Sequence, residues 1–125
     1  LNWMNKNKAD YTNTFCFLMD EKFSINEKYN NKDFLIWRKK WENRLKLNNN
    51  DKKKYLQLMH SVNPLVIPRN HKVEEALEAA NSNNLDPIKD LISILQNPYK
   101  HNEKNNNYQS PAPDTFKKYQ TFCGT

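Results

Sequence analysis

The chain has 125 residues, a formal net charge of +6, 37% hydrophobic and 12% aromatic residues, and a mean hydropathy of -1.06. The aromatic content is too high for a disordered chain, and a single glycine argues against phosphate-cradling loops and turn-rich β architecture. No apolar stretch reaches the length of a membrane span, and the two distant cysteines form neither a disulfide framework nor a zinc-binding spacing. We therefore expect a cytoplasmic chain, and its start at Leu1 instead of Met predicts a piece of a longer protein.

Apolar residues that recur at i, i+3, i+4 and i+7 share one side of an α-helix, and this pattern predicts about five helices. The first is predicted near residues 1–19, with Asp10 in mid-helix and Cys16 off its apolar stripe, where we interpret the thiol as incidental. The second is predicted near residues 32–46, and its aromatic side is expected to be buried. The two stripes consist of Met4, Tyr11, Phe15 and Leu18 in the first helix, and of Phe34, Trp37, Trp41 and Leu45 in the second.

Three further stripes predict the third, fourth and fifth helices. They are Tyr55/Leu58/Met59/Val62, Val73/Ala76/Leu77/Ala80 and Ile88/Leu91/Ile92/Leu95. Asp51 and Asn70 are predicted to cap the third and fourth helices by accepting backbone N–H bonds. Asp86-Pro87 places a cap and then a proline where a fifth helix would begin. No segment alternates convincingly over strand length, so the predicted fold class is all-α, a small helical bundle.

The composition divides the chain into three parts. Residues 1–99 are predicted to form one helical domain, and residues 100–115 an irregular linker rich in Asn and Pro. Residues 116–125 form a C-terminal tail that regains aromatic residues and carries Cys123. Three aromatic side chains at intervals of three residues, Phe116, Tyr119 and Phe122, predict that the tail docks on a surface.

Three stretches carry a resemblance to a known family. They are residues 8–15 (KADYTNTF), residues 63–71 (NPLVIPRNH) running into residues 73–77 (VEEAL), and residues 97–99 (NPY), followed after the linker by the YQTFCGT end. In this order and spacing they closely resemble the C-terminal part of the selenoprotein O family, over nearly the whole chain.

The resemblance implies a kinase-like fold for the longer protein, and transfer of AMP from ATP, with Mg²⁺ or Mn²⁺, to hydroxyl side chains of substrate proteins. The nucleotide- and metal-binding residues of the family lie in its N-terminal kinase-like core, and nothing in this sequence matches that core. The resemblance therefore assigns no catalytic, nucleotide-binding or metal-binding residue to this chain. It implies a helical scaffold packed against the N-terminal kinase-like core.

Cys123 occupies the third position from the end, where family members carry selenocysteine or cysteine. The resemblance implies a redox residue that can pair with a cysteine of the kinase-like core and restrain activity. This chain ends in Cys-Gly-Thr, where other members end with serines. An ordinary terminal cysteine without a role is the alternative interpretation.

Other candidate residues have simpler interpretations. Residues 69–71 (Arg-Asn-His) lie at a junction between proline and a helix that could hold an anion, but capping by Asn70 and an ion pair of Arg69 are favoured. The three histidines, His60, His71 and His101, lack the spacing of a metal site.

A different class of function is a free-standing basic helical module that binds nucleic acid or a partner protein. Residues 52–54 (Lys-Lys-Lys), with Lys39-Lys40 and Lys6/Lys8, would supply its phosphate contacts. Trp37 and Trp41 could stack on bases, although aromatic residues at helical spacing are more often core. We expect no specific nucleic acid and no membrane among the partners.

Overall fold

The structure is a computed structural model that describes residues 1–23, 26–47, 51–102 and 104–113, and these ranges contain helices and no strand. The helices are α1 (Asn2–Lys6), α2 (Tyr11–Met19), α3 (Lys32–Leu47), α4 (Lys52–Val62), α5 (Asn70–Asn81), α6 (Asp86–Leu95) and α7 (Asn105–Gln109). Two short 3-10 helices, Glu21–Phe23 and Glu27–Asn30, connect α2 to α3. The all-α prediction is confirmed, and none of the helices in the described ranges is long and apolar enough to cross a membrane.

The predicted first helix is two helices. The chain leaves α1 at Asn7 and passes through Lys8, whose φ of 46° lies in the left-handed region that ends helices. Asp10 then has extended backbone, and its carboxylate accepts a hydrogen bond from the Asn13 backbone N–H at 2.8 Å. The prediction of Asp10 in mid-helix is wrong, because this residue is the N-cap of α2.

The predicted caps of the later helices have mixed outcomes. Asp51 caps α4 as predicted, because its carboxylate accepts a hydrogen bond from the Lys53 backbone N–H at 3.0 Å. The cap predicted at Asn70 is wrong, since Asn70 is already inside α5 and the N-cap is Arg69, which makes no side-chain cap hydrogen bond. At α6 the helix begins one residue earlier than predicted, with Asp86 as its first residue and Pro87 in the first turn.

The described residues group into two compact units, a finer division than the single helical domain predicted over residues 1–99. The first unit comprises Leu1–Leu65 and Tyr99–His101. Its core cluster is built on Leu18, Tyr29 and Phe34, against which other partly buried apolar side chains pack: Trp3, Phe15, Phe17, Trp41 and Met59.

Of the described residues, the second unit comprises Val66–Pro98, Asn102 and residues 104–113. Its α5 and α6 bury Ala76, Leu91 and Ile94, and the small Ala76 side chain lets another helix approach closely. In the segment predicted to be irregular, α7 forms and buries Asn105 and Gln109. The predicted tail of residues 116–125, with Cys123, lies outside the described residues.

Candidate functional site

An apolar cleft of about 510 Å³ opens in the first unit. Helices α1 to α4 all contribute to its walls, and Thr14 and Asn63 are the polar side chains among the residues that line it. The apolar lining residues are Leu1, Trp3, Met4, Phe15, Leu18, Phe34, Trp37, Trp41, Leu45, Tyr55, Leu58 and Met59. A cleft of this size and character is typical of a site that accepts an apolar group.

Helix α3 supplies one wall because its apolar residues recur on one side of the helix. Phe34 is fully buried, whereas Trp37 is 38% exposed and Trp41 and Leu45 are half-buried. The Trp37 and Trp41 rings are stacked, with centroids 6.2 Å apart and an interplanar angle of 6°. The prediction that this whole stripe is buried is therefore right for Phe34 and wrong for Trp37.

Helix α4 supplies the facing wall with the stripe that the sequence predicted. Tyr55 meets the Trp41 ring edge-on, with centroids 6.1 Å apart. One turn further on, Leu58 lines the cleft and is 63% exposed, while Val62 is 59% exposed. The contact between the Trp41 and Tyr55 rings therefore connects α3 to α4, and the aliphatic side chains beyond it remain exposed.

Trp3 is the one aromatic residue of the cleft lining that the sequence stripes did not include. Its ring packs on Phe34 with centroids 4.6 Å apart, and its indole N–H donates to the Asn31 side-chain oxygen at 3.4 Å. The sequence contains one indication of this role: the tryptophan side chain is large and apolar, and in so polar a chain it is a strong candidate for packing. Its role depends on a contact far along the chain, which helical spacing does not reveal.

A second concavity of about 410 Å³ in the same unit is organised around Arg38. The guanidinium group forms ion pairs with Glu21 at 2.7 Å and with Glu42 at 3.2 Å, and lies 5.4 Å from the Phe17 ring centroid. The two carboxylates and the ring engage the charge of Arg38, so we interpret this arrangement as structural.

Residues 69–71, where the sequence left an anion site as the less favoured interpretation, lie at the start of α5. His71 is 5% exposed, and burial lowers its pKa. Repulsion from Lys72 lowers the pKa further, the Glu75 carboxylate opposes this, and Arg69 has the smallest effect. A histidine that stays neutral offers no charge to an anion, and Lys72 is paired with Glu75 at 2.7 Å.

The other two histidines both contact one aromatic ring of the first unit, that of Phe23. The His60 ring meets Phe23 edge-on at 5.6 Å, and the His101 ring stacks on Phe23 at 5.5 Å between centroids. Across the part of the chain that the structure describes, no three His, Cys, Asp or Glu residues lie together as metal ligands.

Cys16 is a core residue of the first unit. Its side chain is 0% exposed, and its sulfur lies 3.6 Å from the Pro64 carbonyl oxygen. The residue is thus more than an incidental position on the helix, because its thiol packs against the end of a distant segment. Cys123, the predicted redox residue, falls outside the described ranges.

Comparison with known proteins gives a consistent result. A family model described as "Protein adenylyltransferase SelO" matches residues 1–96. Three similar proteins, each named "Protein nucleotidyltransferase YdiU", come from Pelagibacter ubique (53% identity over 125 residues), Nitrosococcus oceani (42% over 126) and Alcanivorax borkumensis (40% over 126). The alignments cover 100% of this chain and 26% of each relative, so the chain spans about a quarter of their length. No solved structure matches.

Proposed function

The chain belongs to the protein adenylyltransferase SelO family, and we propose that it is the C-terminal helical part of an enzyme that transfers AMP from ATP to hydroxyl side chains of proteins. The observation that carries this proposal is the family match over residues 1–96. The coverage of the relatives favours this function over a free-standing basic module, because the chain corresponds to only 26% of their length. We place the enzyme in the cytoplasm, where its thiols stay reduced.

The role we propose for this part is that of a scaffold that packs against an N-terminal kinase-like core. ATP with Mg²⁺ or Mn²⁺ would bind in that core. The donor set of the described residues does not fit a metal–nucleotide site, because it contains no cluster of three His, Cys, Asp or Glu residues. The sequence also has a single glycine, Gly124, and so has no glycine-rich loop for phosphates.

An AMP-transfer assay tests this division of roles. We expect the longer polypeptide to incorporate label from ATP carrying a labelled α-phosphate into an acceptor protein, and the 125-residue chain alone to incorporate none. Robust labelling by the chain alone, after contaminating enzymes are excluded, would show that catalytic residues lie within it.

We further propose that Cys123 is a redox latch on that enzyme. In an oxidising medium, the Cys123 thiol and a thiol of the kinase-like core would lose two electrons and two protons to a peroxide. The peroxide O–O bond breaks, and an S–S bond forms. Support comes from the sequence: Cys123 is the third residue from the end, and the cations Lys117 and Lys118, six and five residues before it, would favour the thiolate.

The latch is tested by comparing the wild-type longer polypeptide with its Cys123→Ser variant under oxidising and reducing conditions. We expect oxidation to lower the transfer activity of the wild type and reductant to restore it. The transfer activity of Cys123→Ser should be the same under oxidising and reducing conditions. Cys16→Ala is the matched control, because the buried Cys16 should not exchange with a core thiol. Equal activity in every state, with no peptide linked through Cys123, would leave this cysteine without a regulatory role.

A further inference from the structure

We propose that the apolar cleft of the first unit holds a segment of the same polypeptide that lies outside this sequence, and that this segment presents an apolar face bordered by carboxylates. This inference rests on the proposed function, in which the chain is one part of a longer enzyme. It adds the surface of contact and the chemistry of the segment that fills it.

The exposure of the cleft residues is the first argument. Leu1, Leu58 and Trp37 are 76%, 63% and 38% exposed, although all three line one concavity. A monomeric soluble protein rarely leaves a contiguous apolar surface of this kind uncovered. Aromatic side chains at the centre of such a concavity are the usual anchors of an interface.

The cleft is already formed without its occupant. Trp41 stacks on Trp37 and meets Tyr55 edge-on, so the side chains of both walls are held by ring contacts within the unit. Phe34 lies at the base with 0% exposure and fixes the start of the α3 wall. A segment that binds there finds ordered side chains, which lowers the entropic cost of docking.

The occupant is identified by length, position and charge. The chain corresponds to 26% of the length of its relatives, so most of a family member lies outside it. Leu1 itself lines the cleft, so polypeptide joined to Leu1 would begin at the cleft wall.

The two helices that form the walls, α3 and α4, carry many more lysine and arginine residues than carboxylates. That excess favours an acidic border on the occupant and disfavours a second copy of this chain, which carries the same +6 charge.

Hydroxyl-radical footprinting of the longer polypeptide tests the proposal with two leucines of the same intrinsic reactivity. Leu58 lines the cleft, whereas Leu47, at the end of α3, is 84% exposed and outside the cleft lining. We expect the labelling rate of Leu58 to be as low as that of the buried Leu65, while Leu47 stays readily labelled. Protection of Leu58 should not depend on protein concentration.

A matched pair of substitutions gives a second measurement on the same polypeptide. Leu58→Glu would place a charge in the filled cleft, and we expect it to lower the melting temperature by at least about 2 °C relative to Leu47→Glu. Labelling of Leu58 as fast as Leu47, or equal melting of the two variants, would overturn the proposal. Protection that appears only as the protein dimerises would also overturn it, by identifying a second copy as the occupant.

AMP transfer measured on the same sample distinguishes a failure of the docking proposal from a failure of the proposed function. An active enzyme with a fully labelled Leu58 would contradict the docking segment and leave the proposed function intact. A protected Leu58 in a folded polypeptide without transfer activity would support the docking segment and contradict the proposed function.

Discussion

Phe34 is the residue on which the aromatic side chains of the first unit converge. Its ring centroid lies 4.6 Å from that of Trp3, 5.2 Å from Tyr29, and 5.8 Å from both Phe17 and Trp37. The side chain is 0% exposed, so its removal would leave a cavity that rigid neighbouring rings could fill only in part.

We expect Phe34→Ala to lower the free energy of unfolding by about 3–5 kcal/mol, because both the buried surface and the ring contacts are lost. Trp37→Ala should cost clearly less, since Trp37 keeps 38% of its surface in water. Denaturant unfolding of the two variants beside the wild type measures both values. A cost for Trp37→Ala equal to that for Phe34→Ala would mean that the cleft wall is packed more tightly than the structure shows.

His71 gives the stability of the second unit a dependence on pH. Its pKa in the folded chain is lowered from 6.5, mainly by burial and then by Lys72. As the pH falls through about 6.5, the unfolded chain takes up a proton that the folded chain does not, so stability is lost until the folded pKa is reached.

We expect the free energy of unfolding to fall as the pH drops below about 7, and His71→Gln to flatten that fall. His101→Gln, which changes an exposed histidine, is the matched control, and this variant should lose stability with falling pH as the wild type does. Denaturant titrations at a series of pH values provide the measurement. An identical pH dependence in wild type and His71→Gln would show that other groups cause it.

At the scale of the elements, α3 to α6 could be predicted because each has a regular apolar stripe. The division of the first predicted helix could not, since the stripe through Met4, Tyr11 and Phe15 continues across the break. There Lys8 takes a left-handed conformation and Asp10 forms a cap, and both depend on local backbone geometry. Helix α7 was missed for a different reason: Asn105 and Gln109 are polar residues that the fold buries.

The candidate cleft was predictable only in part. Helical spacing correctly places Phe34, Trp37 and Trp41 on one side of α3. Whether that side is covered depends on a partner surface, which the spacing does not describe. This is why Phe34 is buried as predicted while Trp37 stays partly open.

The start of α2 offers a test of its cap. Asp10→Ala removes the acceptor for the Asn13 backbone N–H, and we expect it to lower the free energy of unfolding by about 1 kcal/mol. Asp10→Asn retains a side-chain acceptor and should cost less. Thermal unfolding followed by circular dichroism compares the two variants, and equal losses would mean that the carboxylate charge, and not the hydrogen bond, stabilises α2.

At the scale of the whole molecule, the net charge of +6 and a pI of about 9.3 invite a test for binding to nucleic acid. Most of the positive charge comes from lysines, which lack the rigid fork of donors that suits arginine to bidentate contacts. We expect weak binding without sequence preference that falls steeply between about 50 mM and about 200 mM salt. Fluorescence anisotropy with unrelated DNA duplexes measures this, and selective binding at physiological salt would favour the basic module.

Because Cys16 is buried, the reactivity of its thiol reports how often the folded chain opens around it. The thiol has 0% exposure and is closed off where Pro64 meets α2, so a bulky maleimide cannot reach it while that contact holds. The rate at which Cys16 is alkylated in native buffer therefore measures how often α2 separates from the segment around Pro64. If that separation happens only when the whole unit unfolds, and the unit refolds faster than the thiol reacts, the alkylation rate gives the global unfolding equilibrium without any denaturant.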